Sequence, residues 1–351
     1  MASVLATATT IKAPVSQTTA FVGYHLHQGV DHMFVYFDAP KDPAIPRLRA
    51  LDAVTCVECD RAHWKAHGVA PDAPVQAKQQ ANATDAFHRA RDAGIEWLAH
   101  IDGDELLYAD DGLRTMITQS PAQADVLIFQ TKEAVPQGFH YERPFREISL
   151  FKRDPASHLR RGLLSGSRRQ VWRRLLVAHA WRLKRRVLQW IGGDAPDLVA
   201  GFLLGHTSGK AATRTDVPVE HIGNHRPQVE PGHVPHKHAV PGAAVLHFDC
   251  MGYRHWYDKW AGRLRGTAHF DESRLRPDRQ RIRDAFEAAL EADSDRAPRT
   301  LYRRLYHLPP WRRQLLKSFG FVERISLARK AFHLPGSPGR PRSTLPVNKL
   351  S

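Results

Sequence analysis

The segment Trp97 to Tyr108, WLAHIDGDELLY, ends an apolar run in three acids within four positions: Asp102, Asp104 and Glu105. Two carboxylates one residue apart at a strand end both reach a single divalent cation. Their hard oxygens suit Mg²⁺ or Mn²⁺, which keep coordination positions for water and phosphate oxygens. A cation held there neutralises a diphosphate as it leaves. The acids stand out because the chain is basic, with 51 Lys and Arg against 36 Asp and Glu and a net charge of +15. That balance favours anionic partners: nucleotide phosphates, nucleic acid or an acidic membrane surface. The competing reading is a polar turn in which Asp102 or Asp104 caps a helix near Gly112. Spacing alone does not separate the two. Three acids directly after an apolar strand in an α/β pattern favour the cation.

Two other clusters invite chemistry. Cys56 and Cys59 form one CxxC, and the only other cysteine is Cys250. No second pair completes a four-ligand zinc site, and an odd, sparse set argues against a disulfide framework and suits a reducing compartment. His221, His225, His233, His236 and His238 are interleaved with Pro and Gly. Those residues forbid the helix that would align two imidazoles at i, i+4, so a solvated loop is expected there.

The elements that must position the acids follow from periodicity. SVLATATTI, HMFVYFD, AVTCVEC and IEWLAHI read as four strands, and ADVLIFQT, REISLFKR and AAVLHFDC as further ones. Val15 to Gln28 reads as a helix closed by Gly29, and Ile45 to Leu51 as a short one. A longer helix is expected after Asp72 as cap and Pro74 in its first turn, ending at Gly94. Strand alternating with helix implies an α/β fold with a mostly parallel sheet flanked by helices. Ligands of such sheets bind outside the carboxyl ends of the strands. Asp38 closes the second strand and Asp102 the fourth, so both acids point to that edge. Residues 273–333 read as helical and basic, and the Pro/Gly-rich tail 334–351 as disordered.

Several stretches, in order, resemble bacterial family-2-like glycosyltransferases close to the family 92 group, which have a GT-A fold. They are FVGYHLHQGVDHMFVYFDAPKD, EWLAHIDGDELLY, GHTSGKAATR followed by His221, and VLHFDCMGYRHWYDKW. The resemblance implies a GT-A domain over residues 1–270 with a basic helical insertion at about 160–192, and a C-terminal helical extension at 271–333. It implies sugar transfer from a nucleotide-sugar donor, a UDP-sugar first, to a glycan or lipid-linked acceptor, with inversion and with Mn²⁺ or Mg²⁺. On this resemblance Asp102, Asp104 and His247 hold the metal, and Glu105 braces the loop or touches the donor sugar. Asp38 binds the nucleoside, and Lys12, Lys210, Arg214 and His221 contact phosphate or acceptor. Asp249, on the same strand face as His247, is the candidate general base, with orienting His247 or capping the next helix as its other reading. Two departures stand out. The acidic pair expected after the first strand is replaced by IKAPVSQ, with Lys12 but no acid, and the Glu-Trp of the first helix by Val22 and Gly23.

Other function classes remain alongside. IDGDELLY superficially resembles the strand and DxD of Asp-dependent phosphohydrolases, but three strands precede it and Glu105 follows the second Asp. A non-enzymatic basic protein is the third class. The segment 160–190, with Trp172, Trp181 and Trp190, reads first as a solvated helix with Trp in a core, and second as a peripheral contact with an anionic membrane. No nucleic-acid partner is expected, since no RNP, zinc-finger or helix-turn-helix pattern occurs. No apolar stretch is long enough to span a membrane, and the N-terminus lacks a signal-peptide pattern. A cytoplasmic location, peripheral to the inner face of the plasma membrane, is therefore the expectation.

Overall fold

A computed structural model describes residues 4–153, 195, 197–199, 201–266, 276–292 and 294–335. The basic segment 160–192 and the tail beyond residue 335 lie outside the described residues.

The chain opens with β1 (Leu5–Ile11), α1 (Val15–Gln28) and β2 (His32–Phe37). Every residue of β2 is buried, as a strand covered on both faces requires. Gly29 ends α1 in the left-handed region at φ 99°, where a side chain would be strained. Next come α2 (Ile45–Arg49), β3 (Val54–Glu58) and α3 (Arg61–Ala66). The sequence reading holds no helix at α3, although the Asp60 side chain caps it by accepting from the His63 N–H. The long helix α4 (Val75–Asp92) begins after Pro74, and no side chain caps it. Asp72 therefore does not cap it as expected, because the first turn starts three residues later.

β4 (Trp97–His100) is followed by β5 (Glu105–Ala109) and α5 (Leu113–Thr118). The acids thus lie in a turn between two strands. Gly112 precedes α5, which has no side-chain cap, so neither Asp102 nor Asp104 serves it. The chain continues through β6 (Val126–Ala134), α6 (Pro144–Glu147), β7 (Leu150–Arg153) and β8 (Lys210–Arg214). β9 (Val219–Ile222), β10 (Pro227–Val229) and β11 (Lys237–His247) turn part of the expected histidine-rich loop into strands, with His221 and His238 in them and His225, His233 and His236 outside. The C-terminal part holds α7 (Tyr253–Leu264), α8 (Pro277–Glu291), α9 (Arg296–Tyr306), α10 (Pro310–Ser318) and β12 (Val322–Arg324).

The chain divides into two compact units: Met1–Thr131 with Ser208–Leu246 and Leu327–Ser351, and Lys132–Thr207 with His247–Ser326. In the first, β3, β2, β1 and β4 are parallel neighbours in that order. β8 then adds antiparallel to β4, and β6 antiparallel to β8. One face of this sheet packs on α4, with Phe34, Tyr36, Phe87 and Leu98 in one buried cluster. Each such side chain contributes about 2 kcal/mol by leaving water. In the second unit, the last residues of β6 pair with β7, and β7 pairs antiparallel with β12. Its helices close on Trp256, Trp260, Phe286 and Tyr302. The pattern is visible in α9, where Leu301, Tyr302, Leu305 and Tyr306 repeat every turn and are all buried.

Candidate active site

Parallel strands deliver their carboxyl ends to one edge. Ile11 of β1 lies opposite Phe37 of β2, and Ala8 opposite His100 of β4. Lys12, Asp38 and the turn Asp102–Glu105 therefore leave the sheet on the same side. Lys12 is exposed at the end of β1. The Asp38 carboxylate accepts from Lys78 Nζ at 2.9 Å, and the Lys78 ammonium also lies 5.2 Å from the Trp64 ring.

The acid turn is closed on itself. The Glu105 N–H donates to the Asp102 carbonyl at 3.0 Å, and the Asp102 N–H donates to Glu105 Oε2 at 2.9 Å. Lys210 then ties it down. Its Nζ lies 2.8 Å from Asp102 Oδ2, 3.2 Å from Glu105 Oε2 and 2.9 Å from the Asn224 carbonyl. Three partners match the three protons of an ammonium. Both Lys210 and Glu105 are wholly buried. Burial pulls the Lys210 pKa down, but the Asp102 and Glu105 carboxylates overcome it and hold it above its ordinary value. Lys210 reaches this place because β8 runs antiparallel to β4, with Ala212 opposite Ala99. Its first residue falls beside the residues that follow β4.

Gln79 of α4 donates to Asp102 Oδ1 at 2.8 Å. His100 is buried, with Nε2 3.9 Å from the same oxygen. Burial and the nearby Lys210 charge push its pKa down to about 4, so its imidazole is neutral at pH 7. Each Asp102 oxygen accepts one hydrogen bond and keeps a second lone pair. Asp102 and Asp104 are both partly exposed. Hard oxygens with remaining lone pairs at an accessible turn fit Mg²⁺ or Mn²⁺.

Two expected residues stand elsewhere in this unit. Arg214 ends β8 opposite Trp97, at the far end of β4 from the acids, and is paired with Asp216 at 2.8 Å. At about 3.3 Å per residue, the four residues of β4 separate it from the turn. His221 lies in β9 opposite Gln228. The segment after β9 serves the turn through the Asn224 carbonyl instead. Gly23 also finds its reason here. A Cβ on it would come 2.8 Å from the His333 carbonyl carbon, so the chain's own residues 333–334 fill the space beside α1.

The remaining candidates belong to the second unit. His247 ends β11, is buried, and its ring lies 4.8 Å from that of His206. A Cβ on Gly205 would come 2.6 Å from His247 Nδ1, so only glycine allows this approach. The buried Glu133 carboxylate accepts from the Leu204 N–H at 2.9 Å and from the Gly205 N–H. Its pKa is raised, chiefly by burial. Asp249 accepts from Lys259 Nζ and Arg279 Nη2, each at 3.0 Å. Burial alone would raise its pKa, but Arg279 and Lys259 override it and hold the carboxyl well below the usual range. A carboxylate held that way is a weak proton acceptor. It ties α7 and α8 to the end of β11, and α7 itself starts at Gly252 without a side-chain cap. Lys78, Gln79, His100, Glu133 and His206 were all missed in the sequence. Only His100 and His206 carried a local signal, inside the EWLAHIDGDELLY and GHTSGK stretches.

The model of glycosyltransferase family 92 matches residues 12–285, most of the chain. The chain belongs to glycosyltransferase family 92. The matched span contains the acid turn, Lys210, His206, His247 and Asp249, and ends within α8. Among curated relatives, two glycosyltransferase-like proteins of Arabidopsis thaliana are similar. One is 34% identical over 100 residues, 27% of this chain and 22% of the relative. The other is 29% identical over 175 residues, 49% of this chain and 29% of the relative. This family 92 chain thus spans less than a third of either. Among solved structures, HddC from Yersinia pseudotuberculosis covers 74% of this chain and 97% of its own at 11% identity, with a TM-score of 0.31, a likeness too distant to bear on function.

Proposed function

We propose that this family 92 protein transfers a sugar from a nucleotide-sugar donor, a UDP-sugar first, to a hydroxyl of a glycan or lipid-linked acceptor, with inversion at the anomeric carbon. The observation that carries the reading is the acid turn at the carboxyl edge of the parallel strands, held in one conformation by Lys210 and Gln79. In the reaction the acceptor oxygen forms a bond to the anomeric carbon as the bond to the diphosphate oxygen breaks, and the acceptor proton goes to a base. Asp102 and Asp104 would hold Mn²⁺ or Mg²⁺, which offsets the charge gathering on the departing diphosphate. Lys210 fixes the Asp102 carboxylate before any donor arrives, which is the preorganisation that such charge stabilisation requires. Asp38, fixed by Lys78, is the nucleoside contact, and Lys12 stands exposed at the same edge. We assign Asp249 to anchoring rather than to proton transfer.

The test is calorimetry with UDP on the full chain, with Mn²⁺ and then with EDTA. Binding is expected with Mn²⁺, is expected to vanish with EDTA, and is expected to drop at least tenfold in Asp102→Asn with Asp104→Asn. If folded protein with Mn²⁺ binds none of UDP, GDP and CMP, the donor assignment is wrong. Binding that survives both EDTA and the double substitution would overturn the metal assignment.

A further inference from the structure

A cavity of about 320 Å³ opens in the second unit, between α10 and the edge formed by the end of β6, α6, β7 and β12. Pro310, Arg313, Gln314 and Lys317 of α10 line it, and their i, i+3, i+4, i+7 spacing makes one helix face. The opposite wall includes Tyr141, Glu147 and Arg324. Arg324 ends β12 opposite Leu150 of β7, which aims β12's last residue at the same space. Three cations therefore converge on one cavity with a single acid. That acid is engaged locally, since Glu147 Oε1 accepts from the Arg143 N–H at 3.1 Å. Among the described residues, Arg313, Lys317 and Arg324 stand in no ion pair, whereas Arg254, Arg276 and Arg304 of the same unit do. The Tyr141 hydroxyl accepts from the Gly138 N–H at 2.6 Å and keeps its own proton to donate.

Like charges brought together without acids repel, and a bound anion is what relieves them. A phosphomonoester carries about 1.5 to 2 negative charges near pH 7 and three acceptor oxygens, which match three cationic donors. The volume exceeds that of a phosphoryl group and leaves room for the group that bears it. We propose that this cavity binds the phosphomonoester of a phosphorylated ligand, with the phosphoryl group on Arg313, Lys317 and Arg324. All three residues lie on α10 and β12, beyond the span matched by the family. The site stands apart from the transferase reading, and its test needs neither nucleotide nor metal.

The experiment is calorimetry of the full chain, in EDTA, with glycerol 3-phosphate and with unphosphorylated glycerol, and flotation with vesicles of phosphatidylcholine with and without phosphatidic acid. Saturable binding of glycerol 3-phosphate but not glycerol is expected, weakening as pH falls below about 6, where the phosphate loses a charge. Arg313→Gln, Lys317→Gln and Arg324→Gln should each weaken it about tenfold, the loss typical of a hydrogen bond to a charged group. Lys317 and Arg324 are exposed, so their variants keep the fold even if Arg313→Gln does not. A control that removes three charges elsewhere, Arg47→Gln with Arg61→Gln and Lys65→Gln, should bind as the parent does. Binding to phosphatidic acid vesicles alone, lost in the same variants, would assign the phosphate to a lipid headgroup. Binding to neither probe, or equal loss in the control, would overturn the proposal.

Discussion

Replacing Lys210 with Met removes an ammonium that meets both Asp102 and Glu105 while keeping an unbranched side chain of similar length. The two carboxylates respond differently. Asp102 is 25% exposed on its side chain, so water takes over part of the lost interaction. Glu105 is fully buried, and its Oε2 also accepts the Asp102 N–H. Breaking a buried pair by removing one partner costs about 3–5 kcal/mol, and the partial exposure of Asp102 points to the lower end, about 3 kcal/mol. In a domain of this size that lowers the melting temperature by roughly 6–12 °C. The assay is thermal and urea unfolding of parent and Lys210→Met from pH 6 to 11. The sign follows from the direction of the shift. The folded Lys210 pKa lies above its unfolded value, so its stabilisation is fully present below about pH 10.4 and is lost as pH rises through the folded value. The gap between the two proteins should therefore be constant at neutral pH and close in alkali. A loss under about 1 kcal/mol at pH 7 is what an exposed ion pair gives, and it would refute the argument that Lys210 fixes the acid turn.

Three further outcomes follow from the same geometry. His25 is wholly buried, donates from Nδ1 to the Phe21 carbonyl at 2.9 Å and accepts the Leu107 N–H on Nε2 at 3.1 Å, and burial pushes its pKa down to about 4. The unfolded chain binds the proton first, so stability should fall by roughly 3 kcal/mol between about pH 6.5 and 4, and His25→Gln should flatten that slope in urea titrations. Asp249→Asn leaves Arg279 and Lys259 facing an amide, and should destabilise by about 3 kcal/mol at pH 7. Because the Asp249 pKa is depressed, that gap should persist down to about pH 4 and close only as pH falls through the lower folded value. Gly205→Ala forces a methyl against His247 Nδ1, and should cost about 1–3 kcal/mol and shift the His247 ring resonances by NMR.

The parallel half of the sheet was legible because β1, β2 and β4 are buried apolar runs separated by helical periodicity, and local pattern suffices for such elements. Asp38 and Asp102 were placed on the right edge for the same reason. β5 was not legible, because ELLYA follows the acids so closely that the apolar residues read as the end of one strand. The second half of β11, within AAVLHFDC, was legible, but its first half hid behind Pro241 and Gly242, the latter at φ 73° and close to Asp110, which are breakers by composition. Lys210 was named as a contact for phosphate or acceptor, and its pairing with Asp102 and Glu105 was not foreseen. Its place depends on β8 pairing with a strand more than a hundred residues earlier, and no local pattern encodes that register. Gln79 and Lys78 were unreadable for a related reason. α4 was expected, but which of its polar residues face the strand ends depends on how it packs against them.

The position of β8 also orders events during synthesis. β1 to β4 and their helices are contiguous and can pair as they leave the ribosome. β4 then stands as an open edge until Lys210–Arg214 emerges, about 110 residues later, and inserts between it and β6. Through that interval the chain exposes an unpaired apolar edge of the kind that invites misassembly, and Glu105 has no ammonium to meet. The strand that seals the sheet is the one that carries Lys210, so the acid turn matures in the same step that removes the hazard. Nascent chains halted before residue 210 should therefore depend on chaperones, and release from them should coincide with protection of the Asp102 and Glu105 amides.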